Sequence, residues 1–152
     1  QNGHIDVVKE LIKEGGNVNQ ARTDNGCTPL YVAAQKGHVD TLKVLIEAGS
    51  NVNQATTTGG VTPLLMASQK GHTDIVAILL GTPGIQINQH NNKNMTPLRK
   101  ASDKGHTEIV RLLLQQPNID LNKKAFNKSP LDSATNNNHT EIIQLLKDAG
   151  AQ

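Results

Sequence analysis

Aromatic side chains are almost absent from this sequence. Of its 152 residues only Tyr31 and Phe126 are aromatic, and tryptophan does not occur. Aromatic rings supply much of the buried area in most globular cores, so the core here must be built from Leu, Ile, Val and Ala. This composition favours many short, similar helices over one large interior.

Cysteine and long apolar runs are also scarce. The single cysteine, Cys27, cannot form an internal disulfide, which fits a reducing compartment. No run approaches the roughly 20 apolar residues of a membrane span, and no signal-peptide pattern occurs in these residues. We therefore expect an intracellular, cytoplasmic protein with no direct membrane insertion.

Charge is modest but unevenly distributed. The net charge is +2, yet residues 89–128 carry eight Lys and Arg against three Asp and Glu. A low net charge, without aromatic residues interleaved among the cations, argues against nucleic acid as a partner. The local basic excess is either a set of ordinary solvated lysines or a docking surface for an acidic segment of a protein partner.

Motifs of known catalytic chemistry are missing as well. The sequence contains no phosphate-binding GxxxxGK[ST], no GxSxG, no HExxH and no cysteine cluster. Cys27 has no base that could be assigned to activate it as a nucleophile. We expect no catalysis, no cofactor, no metal site and no small-molecule substrate.

What the sequence does have is an internal repeat. The tripeptide TPL begins at Thr28, Thr62 and Thr96, and SPL begins at Ser129, in steps of 34, 34 and 33 residues. Two further markers keep the same step: the pairs Gly-His or Asn-His, and an Asn in the segments NVNQ, IQINQ and IDLNK. Three independent markers in register predict a repeat protein.

Each repeat also holds a His two residues before an acidic residue, as in His72 and Asp74. A metal site needs several ligands at one point, but equivalent copies about one helix diameter apart, roughly 10 Å, do not converge. We interpret the His as bonding the adjacent loop and the acidic residue as favouring the helix N-terminus. His90 lies outside this pattern, and we expect it to be exposed to solvent.

Each unit has the pattern of two short helices. Thr62 is a good N-cap, Pro63 suits the first helical position, and Gly71 suits a left-handed C-terminus. Both helices span about eight residues, below the roughly 12–15 at which isolated helices become marginal in water. The units must therefore stack to bury their apolar stripes, which predicts an all-α fold, an α-solenoid of helix-turn-helix units.

The pattern GxTPLxxAxxxGHxxxVxxLLxxGxxVN, from Gly26 to Asn53, resembles the ankyrin repeat. The resemblance covers the chain as a single domain, with a partial repeat at 1–22, full repeats at 23–56, 57–90 and 91–123, and a terminal repeat at 124–152. It implies stacked repeats with β-hairpin-like connecting loops. It also implies a non-catalytic interaction scaffold or adaptor that binds a protein partner on its concave face.

In this family the hairpin tips and the last residues of the first helix usually hold the partner. The matching helix ends here are Gln35, Lys36, Gln69, Lys70, Asp103 and Lys104. The matching tips include Asp24, Asn25, Asn92, Lys93, Met95, Phe126 and Lys128. The three lysines at the helix ends would form a ladder along one face.

Two further expectations concern single side chains. The family's His after TPL, which helps to tie neighbouring repeats, is replaced by Arg99 in one repeat and by Asp132 in the next, so their opposite charges predict an inter-repeat ion pair. Phe126 is a large aromatic residue at a hairpin tip. It is either tucked against the neighbouring repeat or offered to a partner, and the sequence leaves both open.

A second function is possible from the sequence: a targeting or recognition arm of a larger enzyme, channel or secreted effector whose active part lies elsewhere. Residues 1–4 match the end of a first helix whose beginning is missing. The apolar stripe of Ile5, Val8, Leu11 and Ile12 then lacks its partner helix. We expect upstream sequence or a packing partner to cover it.

Overall fold

The computed structural model describes the backbone of residues 3–152 and the side chains from residue 5 onward. Over these residues the regular structure consists of nine helices and one isolated β-bridge. In chain order the helices are α1 (Gly3–Lys13), α2 (Pro29–Lys36), α3 (Val39–Glu47), α4 (Pro63–Lys70), α5 (Thr73–Leu80), α6 (Pro97–Lys104), α7 (Thr107–Leu114), α8 (Pro130–Asn136) and α9 (Thr140–Asp148). None of the helices described is both long and apolar enough to cross a membrane.

The helices form two stacked rows. The inner row contains α2, α4, α6 and α8, and the outer row contains α1, α3, α5, α7 and α9, with each helix packed on the next in its row. Each inner helix also packs on the outer helix that follows it in the chain. This arrangement confirms the predicted all-α solenoid of helix-turn-helix units. The residues at which one repeat passes into the next stay a prediction.

The start of the chain differs in part from the expectation. The structure places Gly3 in the first turn of α1, so the predicted helix end at residues 1–4 does not extend to this position. Residues 1 and 2, the other part of that expectation, lie outside the described residues.

The inner helices begin where the sequence predicts. The hydroxyl oxygens of Thr28, Thr62 and Thr96 each accept a hydrogen bond from the backbone N–H three residues later, at 3.1–3.2 Å. Ser129 does the same at 3.2 Å. A proline follows each cap at a position where no backbone donor is needed. Each inner helix therefore starts at a fixed point behind its connecting loop.

The Gly-His pair closes an inner helix and locks it to the next repeat. Gly71 has a φ of 80°, in the left-handed region that glycine adopts without steric strain. A Cβ atom at Gly71 would lie 2.7 Å from the ring of His106 in the following repeat. That ring makes a hydrogen bond between its Nε2 atom and the carbonyl oxygen of Gln69, at 3.2 Å. The glycine is required both for its left-handed backbone and for the space that the ring occupies.

Histidines of two other repeats make the same contact. His72 bonds the carbonyl oxygen of Gln35 at 3.1 Å, and His139 bonds that of Asp103 at 3.3 Å. The scaffold interpretation of these histidines is confirmed, with one correction. Their partner is the end of the inner helix of the preceding repeat rather than the adjacent loop. His90 is exposed, as expected.

The core is aliphatic, as the composition requires. Leucine and isoleucine side chains from both rows are fully buried, and they include Leu30, Leu42, Leu64, Ile75, Leu79, Leu98, Ile109 and Leu113. Alanines on the inner helices allow the rows to approach closely: Ala34, Ala67, Ala101 and Ala134, each at 0% exposure. These helices are too short to be stable alone, so their stability comes from this shared interior.

Asparagine side chains tie the loops that follow the outer helices. The Nδ2 atom of Asn53 donates to the carbonyl oxygen of Gly84 at 2.8 Å, and its Oδ1 atom accepts from the N–H of Gln86 at 2.9 Å. Equivalent links between successive repeats are made by Asn19, Asn88 and Asn122. These residues are the third repeating marker of the sequence, and each fixes the spacing of two neighbouring repeats.

We predict that Asn53→Ala weakens one of these seams. The substitution removes both hydrogen bonds, so the free energy of unfolding should fall by about 1–2 kcal/mol, as measured by urea denaturation followed by circular dichroism. The control is Gln54→Ala, a half-buried neighbour whose side chain makes no hydrogen bond among the described residues, with a change within about 0.5 kcal/mol. Equal losses in the two variants would contradict the role of the asparagine.

Candidate partner-binding surface

Three lysines occupy the ends of successive inner helices. Lys36, Lys70 and Lys104 are the last residues of α2, α4 and α6, and all three side chains are exposed. Packed helices lie roughly 10 Å apart, so the three ammonium groups follow one face of the stack. Within the described part of the chain, Lys104 has an acidic neighbour, Asp103, at 3.8 Å, and the other two form no ion pair. We call these residues the lysine ladder.

The residues immediately before the ladder are held by the scaffold. Gln35, Gln69 and Asp103 are half-buried, and their backbone carbonyl oxygens are the acceptors of the histidine hydrogen bonds. The Asp103 carboxylate also accepts from the Nδ2 atom of Asn137 at 3.4 Å. The backbone that carries the lysine ladder is therefore fixed from both sides.

The third full repeat adds cations around Lys100, a half-buried residue of α6. Burial lowers the pKa of Lys100, and the nearby Asp103 raises it. Lys104, Arg99 and Lys93 lower it further, because each is positively charged and close enough to repel the ammonium group. Lys93, Arg99 and Lys104 thus lie near Lys100, and the rest of the predicted basic region stays a prediction as a single surface.

Arg99 and Asp132 do not form a direct ion pair. The guanidinium of Arg99, 5% exposed, donates from Nε to the carbonyl oxygen of Lys128 at 2.9 Å and contacts the Met95 sulfur with Nη1. The Asp132 carboxylate instead accepts from the N–H and hydroxyl of Ser129, at 2.8 and 3.0 Å. Asp132 is engaged at the start of its own helix, because it occupies the position that completes a capping box. Arg99 is engaged with Lys128 and Met95 instead.

The two charges still influence one another at longer range. Burial lowers the pKa of Arg99, while the negative charges of Asp103 and then Asp132 raise it. The hydrogen bonds from Ser129 lower the pKa of Asp132. An energetic coupling between Arg99 and Asp132 stays a prediction, without the direct contact that the sequence suggested.

The connecting loops form four hairpin-like fingers, of which the first two are equal in length and the last two are progressively shorter. Backbone hydrogen bonds close finger one at residues 22 and 27, finger two at 56 and 61, finger three at 91 and 95, and finger four at 125 and 128. Fingers one to three each turn through one residue of positive φ: Gly26, Gly60 and Asn94. Finger four has two such residues in succession.

Neighbouring fingers are joined by backbone only at the first two seams. The N–H of Thr57 donates to the Asn25 carbonyl oxygen at 3.0 Å, and that of Asn92 donates to the Gly59 carbonyl oxygen at 3.1 Å. Among the described residues no backbone hydrogen bond joins finger three to finger four. The side chain of Arg99, through Lys128, makes the link there.

Finger four explains the conformation of Phe126. Because the loop is shortened to two residues, Phe126 and Asn127 take φ values of 52° and 58°, as in a type I′ turn. Asn suits this region, but a bulky residue there is strained. The Phe126 ring is 70% exposed. The alternative in which it is tucked against the neighbouring repeat is therefore wrong.

Other predicted contact residues differ in availability. Asp24 is exposed and paired with Arg22 at 2.8 Å, and the Asn25 side chain accepts from the Cys27 N–H at 2.9 Å within its own turn. Asn92, Lys93 and Lys128 are exposed. Met95 is 9% exposed and packs beneath Arg99, so its side chain is not presented to a partner.

One feature of this face was missed from the sequence. An open groove of about 500 Å³ is lined by Thr58 and Gly59 of finger two and by Gln35 and Lys36 at the end of α2. Its apolar lining includes Cys27, Tyr31, Val32 and Val61. Val32 is 38% exposed, whereas the equivalent residue of the next repeat, Met66, is buried. Both residues are apolar at the same position of the repeat, so the sequence alone did not indicate this groove.

Burial raises the pKa of Cys27, so the thiolate form is disfavoured and the residue serves as part of the groove wall. Among the described residues, no group of three or more His, Cys, Asp or Glu side chains is arranged to hold a metal ion. The chemistry that this face offers is therefore apolar contact in the first groove and positive charge along the ladder and the third repeat.

A comparison with models of protein families gives a match over the whole chain. A family model described as ankyrin repeats, in three copies, matches residues 1–91 and again residues 83–152, so the two matches together span the chain. None of the curated proteins compared with the chain shows significant similarity to it. The match agrees with the helix pairs, the capped inner helices and the fingers described above.

We predict that Phe126→Asn stabilises the protein. Asn tolerates a positive φ far better than Phe, and the exposed ring makes few contacts that would be lost, so the free energy of unfolding should rise by about 0.5–1 kcal/mol. Urea denaturation followed by circular dichroism measures the change. The matched control is Asn127→Ala, which puts an unsuitable residue at the second turn position and should destabilise. A clear loss of stability in Phe126→Asn would show that the ring packs against the protein.

Proposed function

The chain belongs to the ankyrin-repeat family, and on that premise we propose that its concave face binds a protein partner through an acidic segment, without catalysing a reaction. Ankyrin repeats are generally protein–protein interaction modules and are typically non-catalytic. The concave face as the binding site and an acidic segment as the ligand are the parts proposed here. Nucleic acid is disfavoured by the low net charge.

The observation that carries this proposal is the uncompensated charge of the ladder. Lys36 and Lys70 are exposed and form no ion pair among the described residues, and Lys104 is paired only loosely. Lys100 adds a half-buried cation whose pKa is lowered first by burial and then by the positive charges of Lys104, Arg99 and Lys93, against the opposite effect of Asp103. A carboxylate placed among these groups would relieve their mutual repulsion.

The scaffold supports binding in a second way. The backbone under the ladder is fixed by the histidine hydrogen bonds and the seams by the asparagine links, so little conformational entropy remains to be lost when a partner docks. Charges arranged in this way also attract an oppositely charged partner over a distance, which raises the association rate at low ionic strength.

We predict that reversing the ladder weakens binding of an acidic ligand. The variant carrying Lys36→Glu, Lys70→Glu and Lys104→Glu should bind a synthetic polyglutamate peptide at least about tenfold more weakly than the wild type at low salt, because attraction becomes repulsion. Isothermal titration calorimetry measures the affinity. Added salt should weaken binding to the wild type.

The control carries the same change of charge on the outer helices, at the exposed residues Lys9, Lys43 and Lys147. Its affinity for the peptide should stay within about threefold of the wild type, since only the distant field changes. If the two triple variants lose affinity equally, the effect is one of net charge and the concave face is not the site. If the wild type does not bind the peptide, the acidic segment is the wrong ligand.

A second candidate function is that of a recognition arm within a larger enzyme, channel or secreted effector. The outer helix α1 favours it. Val7 and Leu11 are 57% and 60% exposed, whereas residues at the positions equivalent to Leu11 are buried: Leu45, Leu79, Leu113 and Leu146. In the other repeats an inner helix covers these positions. The same face of α1 would be covered in a larger assembly.

We predict that Leu11→Gln tests this second function. In the chain described here the substitution should change the free energy of unfolding by less than about 0.5 kcal/mol, because the side chain is mostly exposed. In the gene product as expressed by the cell it should cost roughly 2–4 kcal/mol if additional protein covers α1. Thermal unfolding of both proteins, each with and without the substitution, makes the comparison. If the substitution changes the stability of both proteins equally little, no additional protein covers α1 and this second function is rejected.

A further inference from the structure

Phe126 is held in a conformation that the protein does not need for its own stability. A bulky side chain at a φ of 52° carries a strain that persists in proteins when the surroundings compensate for it. Here the ring is 70% exposed, so packing within the chain does not compensate. The turn chemistry favours Asn or Gly at this position. A locally unfavourable residue without an internal contact points to a contact outside the chain.

The repeat places Phe126 at a position equivalent to one that lines the first groove. Gly59, three residues before its helix cap, lines that groove together with Lys36 at the end of α2. Phe126 stands three residues before the next-but-one cap, Ser129, in the equivalent position of finger four. By the same register, Lys36 corresponds to Lys104, at the end of α6. Finger four and the end of α6 are therefore the counterparts of the two elements that line the first groove, with an aromatic ring on one and a ladder lysine on the other.

The cations near this ring are available to a ligand. Lys124 and Lys128 flank the tip of finger four, are exposed, and form no ion pair among the described residues. The nearby carboxylate of Asp132 attracts both, but its oxygen is held by two hydrogen bonds from Ser129 and it does not approach either ammonium group within salt-bridge distance. An exposed aromatic ring flanked in the sequence by two cations matches the arrangement of an apolar anchor with a polar rim.

We propose that finger four and the end of α6 select an acidic protein segment that contains a large apolar residue, preferably aromatic. In this arrangement the apolar side chain packs on the Phe126 ring, and the flanking carboxylates contact Lys100, Lys104 and Lys128. The inference rests on the proposed function. It adds a preference for one kind of residue in the ligand and the location at which that residue binds. Charge alone would make every acidic segment equivalent, whereas the ring discriminates among them.

The experiment compares two synthetic peptides by isothermal titration calorimetry: glutamates around one central tryptophan, and the same peptide with a central alanine. The wild type should bind the tryptophan peptide about tenfold more tightly, as expected for burying one aromatic residue against another. Phe126→Asn should abolish this preference, so that the two peptides bind with equal affinity. Asn tolerates the positive φ of this turn position, so the variant is expected to fold and a change in binding reports on the lost ring.

A control variant tests the place of the contact. Val32→Asn removes the exposed apolar side chain of the first groove and should leave the preference for tryptophan intact. If the preference disappears with Val32→Asn and survives Phe126→Asn, the aromatic residue binds in the first groove and this inference is overturned. The same holds if the wild type binds both peptides equally, in which case the proposed function still stands. If neither peptide binds, both proposals fail.

Discussion

The structure depends on the inability of any one repeat to bury its own apolar residues. Helices of seven to eleven residues are marginal in water, and those from α2 to α7, together with α9, have leucines or isoleucines that become fully buried only between neighbours. Three kinds of tie fix those neighbours: the shared aliphatic interior, the histidine contact with the helix end of the preceding repeat, and the asparagine links between loops. Because the ties recur at a fixed interval, the face that carries the lysine ladder takes a regular spacing from the core.

The surface is formed by residues that these ties leave free. Capping threonines, closing glycines and ring-bearing histidines are committed to the scaffold, so the repeat tolerates little change there. The side chains at the ends of the inner helices and at the tips of the fingers meet no such demand, and the finger tips differ among the four units. Charge accumulates at the helix ends, and the one exposed aromatic ring among the described residues stands on the shortest finger.

Much of the fold could be predicted from the sequence, because caps and left-handed termini are local. Thr62 and Gly71 act within a few residues of their own position, and the composition leaves only aliphatic side chains for the core. The asparagine marker was visible as a pattern, but its bonding to Gly84 and Gln86 depends on the approach of another repeat. The availability of Met95 and Arg99 depends on the position of finger four, whose Lys128 bonds Arg99 from 29 positions further along the chain. The exposure of Phe126 could not be predicted either, because the same sequence is compatible with a ring that packs on the neighbouring repeat and with one that projects into solvent.

The link between fingers three and four has a consequence for how this molecule can vary. At the other seams the fingers hold one another through main-chain atoms, which every amino acid supplies, whereas at this seam the guanidinium of Arg99 does so. A connection made by one side chain can be lost or altered by a single codon change without disturbing the cap, the histidine contact or the core. The position of finger four is thus the part of this surface that a single substitution can change most readily. A descendant of this protein could acquire a different target there while keeping the rest of its architecture.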